Sequence, residues 1–153
     1  MKFFKLSTTT ILIFLSCNLF AQKTKPTTKF KQPKLVITLG GYKDSSFISP
    51  QVAADIIGLP LKIIDKKNDE KIISSYNIVY RKNVVTEDEA TGKVSPTTTV
   101  KQALLRATPP PKLWVEAIQE NPKSGELIIF YEIIVKDKEG HYMFCPDLKL
   151  YVK

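Results

Sequence analysis

Histidine is nearly missing from this sequence, with His141 its single representative in 153 residues, and cysteine occurs only twice, at Cys17 and Cys145. One histidine and one or two thiols cannot assemble a His/Cys metal cluster. Signatures of other chemistry are missing too. No Gly-x-Ser-x-Gly elbow supports a serine nucleophile, and Gly40-Gly41 lacks the spacing and the lysine of a phosphate loop. Long apolar runs are also scarce. The stretch Thr10 to Phe20 is the most apolar, and it falls short of the roughly 18–20 residues that span a bilayer. Neither catalytic, cofactor-binding nor metal-ligating residues are expected.

What the N-terminus does have is an export pattern. Lys2 and Lys5 form a basic start, an apolar stretch with Ile11, Leu12, Ile13, Phe14 and Leu15 follows, and Leu19-Phe20-Ala21 offers a small residue for cleavage before Gln22. Residues 1–21 are therefore expected to be a signal peptide. An uncleaved anchor and an acylated Cys17 are the alternatives. Removing 21 residues leaves 132, enough for one domain with a real core. The leader carries two lysines and no acid, so the net charge of +8 becomes +6. The remaining chain keeps one cysteine, so no internal disulfide forms, and Cys145 between Phe144 and Pro146 reads as a buried inert thiol. Export suggests the periplasm, the outer-membrane surface or the medium.

Residues 22–34 hold Lys23, Lys25, Lys29, Lys31 and Lys34 with two prolines and several threonines, a basic flexible linker. It reads as a solvated tether, or as a tail drawn to an anionic surface; any membrane contact is peripheral. The lysines elsewhere are scattered and carry no recognition motif, so nucleic acid is not an expected partner.

From residue 35 to 153 the pattern is that of a single β-rich domain. Leu35-Val36-Ile37-Thr38-Leu39 reads as a strand stopped by Gly40-Gly41. Ser49 as N-cap, Pro50 at the first turn and Gly58 past the end frame a short helix. Leu61 to Ile64 is a second strand, and Lys66 to Lys71 a charged turn. Ile72 to Arg81 alternates with period two, placing Tyr76, Ile78 and Tyr80 on one face. Thr86 to Pro96 reads as an acidic loop. In it Glu87-Asp88-Glu89 lacks the alternating ligands of a calcium loop. Thr97 or Thr98 is expected to cap a second helix bearing Val100, Ala103, Leu104 and Ala107, ended by Pro109-Pro110-Pro111. Leu113, Val115 and Ala117 alternate like a strand, and Asn121 to Gly125 forms a hairpin loop. Leu127 to Val135 is a central strand buried on both faces, with Glu132 its one charge, expected at an open face or in an ion pair. Tyr142 to Phe144 and Leu148 to Val152 complete the sheet. The expected fold is mainly β, an antiparallel β-sandwich, immunoglobulin-like or similar, with two short connecting helices.

Some of these segments carry a resemblance. They are Gly41-Tyr42-Lys43-Asp44 through Ser49-Pro50, Ala53-Ala54-Asp55-Ile56-Ile57-Gly58, Tyr76-Asn77-Ile78-Val79-Tyr80, Gln102-Ala103-Leu104-Leu105-Arg106-Ala107-Thr108 and Lys112 to Ile118. In this order they resemble the C-terminal periplasmic domain of the GldM/PorM family of gliding-motility and type IX secretion proteins, over most of Leu35 to Lys153. The resemblance implies a β-rich module that binds an envelope protein and performs no chemistry. Family members carry a membrane anchor and several periplasmic domains. The leader and single domain read here imply a module detached from that plan. Tyr76, Tyr80, Trp114 and Tyr131 are the candidate contact residues, since tyrosine and tryptophan are enriched in interface hot spots. The alternative is an exported ligand-binding protein or hydrolase with a cleft between sheets, in which Glu132, His141 or Asp147 would converge.

Overall fold

Residue 127 onward contributes the strand around which everything else is arranged. In the computed structural model, which describes residues 30–153, strand β6 (Leu127–Lys136) has neighbours on both sides. The leader and most of the linker lie outside the described residues. Gln32–Lys153 forms one compact unit. Its other strands are β1 (Leu35–Leu39), β2 (Ser46–Ile48), β3 (Leu61–Asp65), β4 (Ile72–Glu87), β5 (Val94–Leu105), β7 (Tyr142–Cys145) and β8 (Leu148–Val152). Two helices occur among the described residues, α1 (Pro50–Ile56) and α2 (Lys112–Gln119).

A six-stranded sheet runs in the order β2-β8-β6-β4-β5, with β7 also paired to β6. A two-stranded antiparallel sheet, β1-β3, makes a second layer with the helices. The architecture is mainly β and sandwich-like with two short helices, as the pattern predicts. It departs from a wholly antiparallel design at one edge. Strand β2 runs parallel to β8, with Phe47 opposite Tyr151 and Ile48 opposite Val152.

The core lies between the layers. Ile78, Tyr76, Tyr80, Ile128, Phe130, Leu148 and Leu150 from the large sheet meet Leu35, Ile37, Leu39 and Ile63 from the small one, with Ala53 of α1 and Ile118 of α2. The rings of Tyr76 and Phe130 sit 5.9 Å apart, tilted, a favourable aromatic arrangement. Helix α1 forms as its caps require. Ser49 Oγ accepts from Val52 N at 3.3 Å, and Pro50 opens the first turn. Gly58 is not left-handed. The chain instead leaves the helix through a tight turn in which Leu59 N donates to Ile56 O at 2.9 Å. Gly40, at φ +56°, is required by space as well as conformation, because a Cβ there would lie 2.8 Å from Ile56 Cγ2.

Two expected elements exchange character. The segment expected to form a second helix after Thr97 is strand β5, paired with β4 from Tyr76 opposite Leu105 to Glu87 opposite Val94. The helical spacing of Val100, Ala103, Leu104 and Ala107 loses to twelve cross-strand pairs and to a β-branched run, Thr97-Thr98-Thr99-Val100. The acidic loop is correspondingly shorter, since β4 reaches Glu87 and β5 starts at Val94. The segment expected as a strand from Leu113 is helix α2. There Trp114, Val115 and Ile118 turn to the core and Leu113 stays 76% exposed. The three prolines precede this helix rather than stop one, and Pro111 O accepts from Trp114 N at 2.8 Å.

Candidate protein-docking surface

Strand alternation gives the six-stranded sheet two unlike faces. One is the core just described. The other is not covered by any described element. Across it, β2 contributes Phe47, β8 Lys149 and Tyr151, β6 Leu127, Ile129, Tyr131 and Ile134, and β7 Tyr142 and Phe144. From β4 come Val79 and Arg81, and from β5 Val100 and Leu104, aligned by register with Ile129, Leu127 and their neighbours. Leu127 is buried and the other central members are half-buried, whereas the rim stands clear. Phe47 is 64% exposed, Phe144 67%, Val100 61% and Leu104 56%. Exposed apolar side chains gathered on one face are the kind of feature that interaction surfaces use.

The face is ordered by its own contacts. Phe47 and Tyr151 bring ring centroids to 5.3 Å, and Lys153 Nζ lies 4.8 Å from the Phe47 ring centroid. At the opposite end Lys136 Nζ lies 4.5 Å from the Tyr142 ring, a cation–π pair. Gln102 Nε2 donates to Tyr131 Oη across β4. Strand β6 bulges at Glu132, whose φ of 48° turns this exposed carboxylate outward beside Tyr131. There its Oε2 accepts from Asn77 Nδ2 at 2.8 Å. The charges on the face are mostly basic, namely Arg81, Lys136, Lys149 and Lys153 against Glu132 and, at the far end of β4, Glu87.

The four tyrosine and tryptophan candidates separate. Tyr131 lies on the open face. Tyr76 and Tyr80 are fully buried on the core face. Trp114 packs against the core from α2 as a half-buried side chain. The aromatics that stand out into solvent are Phe47, Tyr142 and Phe144. Tyr142 and Phe144 could be found by alternation with Met143 and Cys145. Phe47 carries no such signal, because β2 is only three residues long.

The buried tyrosines do structural work through their hydroxyls. Tyr76 Oη donates to Ala107 O at 2.9 Å, and burial pushes its pKa up to about 12. Tyr80 Oη donates to Glu126 Oε2, and burial together with that carboxylate raises the Tyr80 pKa strongly. Glu126 is only 1% exposed, and its Oε1 accepts from Asn83 N at 3.2 Å. The loop from Asn121 to Gly125, expected to be a hairpin, instead joins α2 to β6, and position beside it gave no sign that this acid is internal. Cys145 is buried as expected, and burial with the nearby Asp147 charge pushes its thiol up to about 12.

Among the described residues, Glu132, His141 and Asp147 share neither of two open depressions, of ≈ 470 and ≈ 500 Å³, that flank Pro60 and Leu61. Asp88 at the tip of the β4–β5 turn is occupied by Ala90 N and Thr91 N, both at 2.9 Å. Asp137, Glu139 and His141 bring ligand atoms within 4.8 Å of one another in the β6–β7 turn, a grouping not anticipated from the sequence. Asp137 there accepts from His141 N and contacts its Nδ1, both at 2.8 Å, bonds that close the turn.

No protein-family model matches the chain, and a search of curated proteins finds no match. Among the described residues no helix is long and apolar enough to cross a membrane.

Proposed function

We propose that this chain is an exported, non-enzymatic protein-binding module of the cell envelope, and that the open face of its six-stranded sheet is the docking surface. The observation that carries the reading is the uncovered apolar face running from Phe47 to Phe144. Its charge selects the kind of partner. Four cations against two acids, one of them bonded to Asn77, fit an apolar protein surface rimmed by carboxylates. A second copy laid face to face would set these cations against one another. The N-terminal export pattern supports a partner outside the cytoplasm, and the resemblance to the GldM/PorM C-terminal domain supports one in gliding-motility or type IX secretion machinery.

The test is a photo-crosslinking residue placed in living cells at Tyr131, on the face, and at Leu113, exposed on α2. The expected result is a discrete protein adduct from position 131 that is missing from position 113. Identical patterns at both positions, or no adduct from the face, would overturn the reading. Association with membrane lipid in place of protein would do the same.

A further inference from the structure

We infer that two copies of this chain pair edge to edge through β5, antiparallel and two-fold symmetric about Thr98, to make one continuous sheet. This inference stands on the strand edge rather than the open face, and it does not depend on the docking reading above.

Strand β5 is an edge of unusual character. It is twelve residues long, and every residue from Val94 to Gln102 is exposed. Among the described residues it pairs only with β4. The other edge strands, β2 and β7, have three and four residues. Long edges are normally blunted by charge or proline or kept short, because their free N–H and C=O groups template further pairing. Over twelve residues β5 carries only two such devices, Lys101 and Pro96, and Pro96, with no N–H, leaves the rest of the edge free to pair.

Among the described residues, the far half of the edge is held to the rest of the domain only at its base, through Lys82 and Asn83. Pairing of β4 with β6 stops at Arg81 opposite Leu127. Beyond it, Lys82 to Glu87 and Val94 to Thr99 form a two-stranded ribbon. Two-stranded ribbons are marginal in water, and additional strands make them stable. The ribbon is nonetheless rich in β-branched residues, and Val85 and Val94 on it are exposed.

The sequence of β5 suits self-pairing in one register. Val94, Pro96, Thr98, Val100, Gln102 and Leu104 belong to the open face, and Thr97, Thr99 and Lys101 to the other. Matching like faces across the edge requires symmetry about a residue rather than between two, since a one-residue slip inverts every side chain. Symmetry about Thr98 sets Val100 opposite Pro96 of the second copy, Thr97 opposite Thr99, and Lys101 opposite Ser95. Threonine pairs directly opposite are favourable, and no like charges meet. The same register carries the acidic tip of each ribbon, Glu87-Asp88-Glu89, toward Arg106 of the second copy. The product is a ten-strand succession with both open faces on the same side, doubling the apolar surface.

The test is sedimentation equilibrium of the full chain and of Thr98→Lys, Thr98→Glu and Leu113→Lys, each checked for native fold by circular dichroism. The unsubstituted chain and Leu113→Lys are expected to sediment as dimers in the micromolar range. T98K alone and T98E alone place like charges opposite at the two-fold axis and are expected to weaken the dimer at least about tenfold. An equimolar mixture of T98K and T98E is expected to restore it. An unsubstituted chain that stays monomeric overturns the inference and leaves the edge to a strand from another protein. So does a dimer indifferent to T98K, or a mixture that does not recover.

Discussion

The hydroxyl of Tyr80 donates a hydrogen bond to Oε2 of Glu126, joining two buried side chains 46 residues apart in the chain. This bond ties β4 to the turn that leads into β6. The second oxygen of Glu126 holds Asn83 N, at the point where β4 leaves the sheet to become the ribbon. Tyr80→Phe removes the donor and leaves a buried carboxylate oxygen unpaired. It is expected to lower the unfolding free energy by about 1–3 kcal/mol in urea titrations. Combining it with Glu126→Leu is expected to cost less than the two single changes added together, because the double variant removes both partners.

Alkaline stability follows from the same strand. The folded-state pKa values of Tyr76 and Tyr80 are raised above their ordinary value of 10.0, and that of Cys145 above 9.0. The protonated, neutral groups are therefore favoured by folding. Their contribution is complete below about pH 9 and is lost as pH rises from there toward the folded values. Unfolding midpoints in urea are expected to fall steadily above about pH 9. The late tyrosinate absorbance, coincident with loss of near-ultraviolet dichroism, is expected to diminish in Tyr76→Phe and in Tyr80→Phe. A late phase unchanged in both would refute the assignment.

On the acid side, Asp65 anchors the turn between β3 and β4. Its carboxylate takes Lys71 Nζ at 2.9 Å, Lys67 N at 2.7 Å and Asp69 N at 3.1 Å. The Lys71 ammonium, assisted by those amides, holds its pKa below the ordinary 3.8 despite an opposing desolvation effect. That stabilisation is present above about pH 4 and disappears as pH falls through the folded value. Lys71→Met is therefore expected to lower the thermal midpoint at neutral pH and to differ progressively less from the parent below pH 4.

Backbone conformation sets a further expectation. Gly40→Ala forces a Cβ onto Ile56 in a left-handed conformation and is expected to cost about 1–3 kcal/mol. Gly41, at φ +88°, faces open space, so Gly41→Ala is expected to cost less, about 1 kcal/mol. Chemical denaturation of the two variants side by side checks the order.

Cys145 is expected to resist thiol reagents in the native protein and to react once denaturant is added. Intact-mass measurement of the protein recovered from cells is expected to show a chain beginning at Gln22.

How much of this was legible in the sequence depends on the range of the deciding interaction. The central strand β6 announced itself locally, through a run of apolar β-formers from Leu127 to Val135. Helix α1 did so through Ser49 and Pro50. The exchange at β5 and α2 was not local. Val100, Ala103 and Leu104 fit helical spacing, and only pairing with β4 decides for strand. Trp114, Val115 and Ile118 fit helical spacing equally well, but Leu113 and Val115 also alternate. Period two put Tyr76 and Tyr80 together on one face, which proved to be the core. It did not say which face met the second layer. The open face was hidden for the same reason. Phe47 becomes part of it only by pairing with Tyr151 near the other end of the domain, a contact with no sequence signature.

The parallel pair of β2 and β8 bears on how the chain is made. Strand β2 emerges from the ribosome early, yet its only sheet neighbour among the described residues is the last strand to appear. Strand β4 likewise waits for β6 to give its core face a place to lie. The small β1-β3 sheet can form early, but the large sheet has no central strand to build on until β6 is made, and long-range pairing of this kind is slow to form. The sheet therefore closes late in synthesis, when its organising strands have been made.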